Sequence, residues 1–450
     1  MKPAGRCRIA AFRLCFHVMT SRQEGLHRFQ PEEEFARELD ATDPLRAYRD
    51  RFHIPRTKDG SPVIYFAGNS LGLQPKAVRT ILDEELNDWA ELGVDGHFEG
   101  KRPWYSYHEL LRDAAARLVG ALPREVVLMN SLTVNLHLMM VSFYRPAPGR
   151  YKILIEEPCF PSDLYAVKTQ LRVHGYNPDA ALLAAKPRPG EHLVRIEDVE
   201  AMIEREGKQI ALVLLGGVNF VTGQAFDMAR IAAVGHAQGC NVGFDLAHAA
   251  GNIPLSLHDW NVDFAAWCNY KYLNSGPGAV AGCFVHERHG KNLDLPRFAG
   301  WWGNDPATRF RMQLIDDFVP REGADGWQIS NPPIFALAPV KASYDILDEV
   351  GIAALREKSV RLTGYLEFLL NRLETRRFEI ITPRDPSQRG CQLSLLIRDR
   401  ARELLNALHT AGVVCDFREP NVIRPAPAPL YNSFHDVWEF AMTFHRVVGS

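Results

Sequence analysis

The sequence predicts an α/β fold: a large domain built on a mostly parallel central sheet, followed by a smaller α+β domain at the C-terminus. Short apolar runs alternate with helical segments between residues 151 and 287. These runs are apolar on both faces, as strands buried between two helix layers must be. Beyond residue 331 long amphipathic helices replace the alternation. At 450 residues the chain is long enough for more than one core.

The elements are predicted in chain order from apolar spacing. Helices over residues 77–92 and about 107–122 open the large domain. Buried strands follow at 151–157, 210–220, 240–248, 262–270 and 279–287. The second domain begins with helices at 339–350 and 354–375, and then the strand-like runs QLSLLI and VVCDF flank the helical run ARELLNALHTAG.

The predicted boundaries are a disordered leader over residues 1–30, an N-terminal segment over 31–75 that packs on the small domain, a large domain over 76–330 and a small domain over 331–450. Pro332 and Pro333 predict a hinge, because proline lacks a backbone donor and disfavours helix in the residue before it. The leader is basic before Glu24 and superficially resembles an organellar presequence. Arg13 interrupts its apolar stretch and Met19 offers a second start, which favours an unstructured leader over a targeting signal.

Composition excludes several classes of function. The chain carries 52 basic and 54 acidic side chains and a net charge of −2, so no nucleic-acid partner is predicted. It has no run of about twenty apolar residues that could cross a membrane. Its eight cysteines form no C-x-x-C pair, which indicates a reducing compartment. We therefore expect a soluble, cytoplasmic protein.

The chemistry is predicted at the ends of two strands. Asp245 ends one apolar run, and Lys271 ends a later one. Ligands of open α/β sheets collect at the carboxyl ends of strands, so both side chains would enter one crevice. Pyridoxal phosphate needs such a lysine to bind its aldehyde and a carboxylate to keep its pyridine nitrogen protonated. The spacing alone fits equally well with a surface lysine and an aspartate that caps a helix.

Two further segments could hold the same cofactor. The segment 130–135, NSLTVN, follows the apolar run EVVLM and opens a helix, whose N-terminus could bind a phosphate. An ordinary Ser/Thr cap explains it as well. Phe160, in the run that ends the first strand, could stack on the pyridine ring, or it could be a core residue in a proline-rich turn.

Two motifs lack the spacing that their functions would require. The pair His286 and His289 is one residue short of the metalloprotease spacing, so no metal site is predicted. The glycines Gly216 and Gly217 lack the spacing of a dinucleotide fingerprint.

Ordered blocks from about residue 40 to the C-terminus resemble the kynureninase family. They are YFAGNSLG (65–72), GHFEGKRPW (96–104), MNSLTVNLHLMM (129–140), FPSD (160–163), GFDLAHAAGN (243–252), NYKYLNSGPG (269–278), GWWG (300–303), QISNPPI (328–334) and VIRPAPAPLYNSFHD (422–436). The resemblance implies the fold-type I pyridoxal-phosphate-dependent transferase fold, of the class V aminotransferase-like superfamily. It also implies pyridoxal 5'-phosphate as cofactor and a homodimer whose subunits share the cofactor site.

The resemblance carries roles onto matching positions. It implies a catalytic set of Lys271, Tyr270 and Asp245, with His248 buttressing the pair of Asp245 and the pyridine nitrogen. Cofactor contacts are implied for Leu132, Thr133, Phe160, Pro161, Ser162, Asp163, Asp245, His248, Tyr270 and Lys271, and for Trp301 and Asn331 across the dimer interface. Substrate contacts are implied for His97, Ser330, Asn331 and Arg424, the last as a clamp for the α-carboxylate. The family's vertebrate-like members have a serine at the position of Gly216, which here can offer only its backbone.

The implied reaction is the hydrolysis of L-kynurenine or 3-hydroxy-L-kynurenine to an anthranilate and L-alanine, in tryptophan catabolism and NAD biosynthesis. The polar trio His97, Ser330 and Asn331 resembles the form that favours the 3-hydroxy substrate, since polar groups can satisfy an extra hydroxyl. The alternatives are a cysteine desulfurase, which needs a mobile catalytic cysteine, an aminotransferase, and a non-catalytic regulator on the same fold.

Overall fold

The computed structural model describes residues 29–292 and 294–449. The predicted leader therefore lies outside the described residues except for its last two, and Cys7 and Cys15 lie outside them as well. The six cysteines that the structure describes are free thiols. Within the same part of the chain, no helix combines the length and the apolar character that crossing a bilayer requires.

The strands of the described chain form two sheets. They are β1 (Ile64–Phe66), β2 (Val126–Leu128), β3 (Lys152–Glu156), β4 (Leu182–Ala185), β5 (Ile210–Gly216), β6 (Asn241–Asp245), β7 (Phe264–Trp267), β8 (Gly282–Val285), β9 (Phe378–Ile380), β10 (Leu395–Ile397), β11 (Val413–Arg418) and β12 (Val422–Arg424).

The helices surround these sheets. They are α1 (Glu33–Ala41), α2 (Ala77–Leu92), α3 (Arg112–Val119), α4 (Leu132–Phe143), α5 (Pro161–Val173), α6 (Pro178–Ala181), α7 (Ile196–Glu206), α8 (Met228–Ala237), α9 (Glu287–Gly290), α10 (Ile334–Val350), α11 (Ile352–Asn371), α12 (Ala401–Thr410) and α13 (Phe434–Gly449). Short 3-10 helices include Gly93–His97 and Trp104–Leu111. The helix expected over 107–122 is thus a 3-10 turn followed by α3, which stops where Gly120 takes a left-handed φ of 62°.

The first sheet has the strand order β2-β8-β7-β6-β5-β3-β4. Strands β4, β3, β5, β6 and β7 run parallel, whereas β8 is antiparallel to both of its neighbours, β7 and β2. Every residue of β6, β7 and β8 except Asn241 is buried, as expected for strands covered by helices on both faces. The predicted α/β class with a mostly parallel sheet is confirmed.

The second sheet has the order β1-β11-β12-β10-β9, with β1 parallel to β11 and the other pairs antiparallel. Its core contains Phe66, Tyr365, Leu395 and Phe440. The N-terminal segment contributes both β1 and α1, which packs against α13. This sheet therefore combines residues from both ends of the chain.

The change from one core to the other comes later than the boundary expected at residue 331. Pro333 caps the start of α10, a position that tolerates proline because the first backbone donors of a helix have no partner within it. Val340 and Tyr344 of α10 lie in the core of the first sheet, as does Leu355 of α11. Within α11, residues of the second core begin at Leu362, so the transition falls inside this helix.

Candidate active site

A cavity of about 140 Å³ lies at the carboxyl ends of the parallel strands β3, β5 and β6. This is the edge of an open sheet at which ligands bind. Eight of the residues predicted for the site line it, namely Leu132, Thr133, Phe160, Asp163, Asp245, His248, Tyr270 and Lys271. Of the remaining lining residues, Ser131 lies in the predicted phosphate segment and Gly216 is the position expected to offer only its backbone. No role was predicted for the others, which are Glu156, Val218, Phe220 and Ala247.

Lys271 lies in the loop after β7 and is 8% exposed. Its Nζ lies 5.6 Å from the centre of the Phe160 ring. The backbone that carries it is fixed by Gly72, whose N–H donates to the carbonyl of Tyr270 at 2.8 Å. A Cβ atom on Gly72 would lie 2.3 Å from the Lys271 carbonyl oxygen, so a side chain does not fit there. The loop that contains Gly72 therefore holds the lysine at the cavity.

His248 contacts Lys271 directly, with Nε2 at 3.0 Å from Nζ. Burial, and next the charge of Lys271, hold the pKa of His248 well below its ordinary value. A neutral imidazole can accept a hydrogen bond from the lysine ammonium. Its Nδ1 has no hydrogen-bond partner among the described residues.

Two helix N-termini meet at the cavity. Helix α4 begins at Leu132, and Ser131, Leu132 and Thr133 line the cavity. Helix α5 begins at Pro161, immediately after Phe160. The hydroxyl of Thr133 lies 2.9 Å from that of Ser162, which joins the two helix ends. Unpaired backbone N–H groups and the helix dipole favour an anion at such a place.

Three carboxyl groups line the same cavity, on Glu156, Asp163 and Asp245, and each is less than 10% exposed. Burial raises the pKa of Glu156 to about 7. Burial, and next the nearby Asp245, raise the pKa of Asp163 well above its ordinary value. Asp245 Oδ1 accepts a hydrogen bond from the backbone N–H of Ala247 at 2.6 Å. Like charges this close disfavour full ionisation of the cluster.

Glu156 was missed by sequence reasoning, although a charged residue at the carboxyl end of an apolar strand is a detectable signal. Its Oε2 accepts from the backbone N–H of Gly216 at 3.1 Å. A Cβ atom on Gly216 would lie 3.0 Å from the other carboxylate oxygen. Gly216 therefore presents its backbone to Glu156.

Arg424 lies behind the cavity wall and is fully buried. It does not line the cavity, but its Nη1 donates to the carbonyl oxygen of Phe220, a residue that does. The Phe220 ring packs edge-on against Phe160 with the ring centres 5.3 Å apart. Arg424 is thus separated from the cavity by one residue.

The remaining predicted residues do not line the cavity of this chain. His97 ends a 3-10 helix, where its ring packs edge-on against Trp104 and its Nδ1 lies 3.0 Å from the carbonyl of Val94. Trp301 is half-buried beside Trp302. Pro161, Ser330 and Asn331 are exposed.

Comparisons with known proteins show the relationship of the chain. Residues 355–444 match the family model of the kynureninase C-terminal domain. A kynureninase of Myxococcus xanthus is 60% identical over 415 residues, which are 92% of this chain and 97% of the relative. A kynureninase of Koribacter versatilis is 58% identical over 416 residues, covering 92% and 98%.

The chain belongs to the kynureninase family. Membership confirms the predicted enzyme class, a pyridoxal-phosphate-dependent hydrolase of carbon–carbon bonds, and does not favour the desulfurase and aminotransferase alternatives. Solved cysteine desulfurases of Escherichia coli and Thermococcus onnurineus superpose with TM-scores of 0.72 and 0.69, covering 90% and 86% of this chain and 98% and 95% of theirs. Both are only 18% identical, so this likeness shows the fold alone, and it confirms the fold-type I prediction.

The cavity of this kynureninase-family chain fits pyridoxal phosphate in its chemistry. A buried lysine can bind the aldehyde, and the N-termini of α4 and α5 suit a phosphate. Asp163 Oδ1 is buried without a hydrogen-bond partner among the described residues. A protonated ring nitrogen would bring positive charge to this cluster of carboxyl groups.

Proposed function

We propose that the chain hydrolyses L-kynurenine, 3-hydroxy-L-kynurenine or both between Cβ and Cγ, giving anthranilate or 3-hydroxyanthranilate plus L-alanine, in tryptophan catabolism and NAD biosynthesis. The observation that carries the proposal is a buried Lys271 that lines one cavity with a carboxyl cluster and two helix N-termini, in a chain 60% identical to a kynureninase. We expect it to act in the cytoplasm.

In this proposal different residues around the cavity bind different parts of the cofactor. Lys271 would bind the aldehyde and Asp245 would keep a proton on the pyridine nitrogen, while Phe160 would contact the ring and exclude water. Leu132, Thr133 and Ser162 bind the phosphate together with Tyr270, and Pro161 and Asp163 support this arrangement. When bound, the cofactor supplies an electron-withdrawing ring that stabilises negative charge on the substrate's carbon atoms.

Proton transfer is assigned to Lys271 with the help of His248. When it is not bound to the aldehyde, the Lys271 amine would be free to remove the proton from Cα of the substrate. The neutral imidazole of His248 at 3.0 Å from Nζ can hold the amine in place by accepting a hydrogen bond from it. Tyr270, whose pKa is raised by burial, stays a protonated phenol that can give a proton to Cβ of the alanine fragment after the bond to Cγ has broken.

Substrate recognition is assigned to Arg424 and to residues of a second subunit. The guanidinium can bind the α-carboxylate through two parallel hydrogen bonds. His97, Ser330 and Asn331 are proposed to contact the aromatic ring, and with Trp301 they do not line the cavity of their own chain. The proposal therefore requires a homodimer in which they complete the partner's site.

An exposed aromatic patch near these residues supports the dimer. Phe98, Phe310 and Leu314 are 59%, 58% and 72% exposed, and the Phe98 and Phe310 rings pack around Tyr105 beside the tryptophan pair. Exposed apolar side chains grouped in this way are typical of a surface that another protein covers.

The function is tested by mixing the cofactor-loaded protein with L-kynurenine and with 3-hydroxy-L-kynurenine, and measuring anthranilates and alanine. Absence of both products from a loaded protein would refute it. Shared sites are tested by mixing Lys271→Ala protein with Asn331→Ala protein. Random exchange puts half of the chains in mixed dimers with one intact site each, so about a quarter of the wild-type activity should return. No recovery would refute the shared site.

The desulfurase alternative is tested with L-cysteine. Among the described residues, Cys159 is the cysteine beside Phe160, and burial raises the pKa of its thiol, which works against a nucleophilic role. We expect no sulfide release from L-cysteine.

A further inference from the structure

Arg424 is held by a carboxylate on the neighbouring strand. Asp416 and Arg424 lie directly opposite each other in the antiparallel pair β11 and β12. Asp416 Oδ1 lies 3.0 Å from Nε and 2.6 Å from Nη2 of Arg424, so it faces one edge of the guanidinium. The Arg424 side chain is fully buried and that of Asp416 is 6% exposed. A buried arginine without a counter-ion would be strongly unfavourable.

The other end of the guanidinium contacts a group that can be exchanged. Nη1 of Arg424 donates to the carbonyl of Phe220. This carbonyl has a second donor, because Nε2 of the buried Gln392 lies 3.3 Å from it. Asn69 holds the Gln392 side chain through a hydrogen bond to Oε1 at 2.7 Å. If Nη1 turned to another acceptor, the Phe220 carbonyl would therefore keep a partner.

The charged side chains around Arg424 carry an excess of positive charge that one more anion would balance. A second arginine, Arg418, places Nη2 3.2 Å from Oδ2 of Asp416. Among the described residues, Asp416 is the carboxylate that lies within 4 Å of either guanidinium. Two arginines and one aspartate carry a net charge of +1, which a single substrate carboxylate would neutralise.

We propose that Asp416, supported by Arg418, is the positioning residue that makes Arg424 selective for a substrate carboxylate. Asp416 holds the Nε edge of the guanidinium, so that its Nη1 end faces Phe220 at the cavity wall. The substrate carboxylate replaces the Phe220 carbonyl on Nη1, and Gln392 keeps that carbonyl satisfied. The inference rests on the proposed role of Arg424 and extends it to the residues that prepare it.

The central test is Asp416→Asn in the cofactor-loaded enzyme. Loss of the charge releases Arg424 and leaves two unneutralised arginines. We expect KM for L-kynurenine to rise about tenfold or more, while kcat changes by less than about threefold. An analogue that lacks the α-carboxylate should inhibit the variant as well as it inhibits the wild type. If Asp416 had a purely structural role, the variant would bind L-kynurenine and the carboxylate-free analogue more weakly by the same factor. An equal loss of affinity for both ligands would therefore overturn the proposal, and so would an unchanged KM.

Control variants keep the test interpretable. Glu419→Gln removes an exposed carboxylate that pairs with Arg402 just beyond β11, and it should leave KM unchanged. Cofactor absorbance and the melting temperature report whether Asp416→Asn folds. If it does not, the half-exposed Arg418 offers a milder change, and Arg418→Gln should raise KM for L-kynurenine about threefold without weakening the carboxylate-free analogue. An unchanged KM in Arg418→Gln would then overturn the proposal.

A double variant separates this proposal from the role of Arg424 itself. Arg424→Met should raise KM, and adding Asp416→Asn to it should raise KM no further, because Asp416 acts through the guanidinium. An additional increase would overturn the inference. An unchanged KM in Arg424→Met would instead refute the carboxylate clamp, while product formation still reports on the function.

Discussion

The buried Glu156 should make the cofactor-free protein lose stability as the pH rises. Burial raises the pKa of this carboxyl from an ordinary 4.5 to about 7, and the side chain is 4% exposed, so solvent screens it little. A carboxyl whose pKa is higher in the folded than in the unfolded protein favours folding while it is protonated. This contribution is complete at a pH below the unfolded-state pKa and is lost as the pH rises to the folded-state pKa. For Glu156 the loss runs from about pH 4.5 to about pH 7 and amounts to roughly 3 kcal/mol at most.

Urea unfolding of cofactor-free protein at about pH 5 and about pH 8 measures the effect when wild type is compared with Glu156→Gln. Glutamine resembles the protonated acid and does not ionise, so the variant should gain up to about 3 kcal/mol relative to wild type over this interval. Glu157→Gln is the matched control, since Glu157 is half-exposed and pairs with Lys186. If the difference in the free energy of unfolding between wild type and Glu156→Gln is the same at pH 5 and at pH 8, the reasoning is refuted.

Four further changes test other parts of the molecule. Lys271→Ala should abolish both turnover and the visible absorbance of the lysine-bound cofactor; retained absorbance would show that another residue holds it. His97→Trp should lower kcat/KM for 3-hydroxy-L-kynurenine more than for L-kynurenine, and an unchanged ratio would remove His97 from substrate selection. Gly216→Ser should place a hydroxyl donor beside Glu156, lower the pKa of that carboxyl and flatten the pH dependence of unfolding; an unaltered slope would contradict this contact. Asp263 is buried and pairs with two histidines and an arginine, so Asp263→Asn should lower the free energy of unfolding by about 3–5 kcal/mol. A loss under about 1 kcal/mol would contradict a stabilising role for these pairs.

The parts of the site that follow strand ends could be predicted from the sequence. Asp245 and Lys271 each come after an apolar run, and parallel strands place such ends at one edge whatever their order. The N-terminus of α4 was readable for the same reason, because a helix that follows a strand begins at that edge. The predicted strands over 210–220 and 262–270 were too long, since β5 and β7 end at Gly216 and Trp267, where the backbone turns into the loops of the site.

The partners of these residues could not be predicted because they depend on strand order. Glu156 meets Gly216 because β3 lies beside β5 in the sheet, although β4 comes between them in the chain. Asp416 meets Arg424 through the register of β11 and β12, which no local motif determines. A charged residue at a strand end can be noticed in the sequence, but its partner on another strand cannot be identified until the strand order and register are known.

The carboxyl cluster explains why the cavity should be most stable with a cationic occupant. Glu156, Asp163 and Asp245 face one lysine and a neutral imidazole in a space of about 140 Å³. Without a ligand, the cavity can lower its electrostatic cost by keeping protons on Glu156 and Asp163, whose pKa values are raised. A protonated pyridine nitrogen would supply positive charge instead, and negative charge on the carboxyls would then be less costly. Cofactor loading should therefore reduce the difference in pH dependence between wild type and Glu156→Gln, and an equal difference in both forms would mean that the ring nitrogen does not reach this cluster.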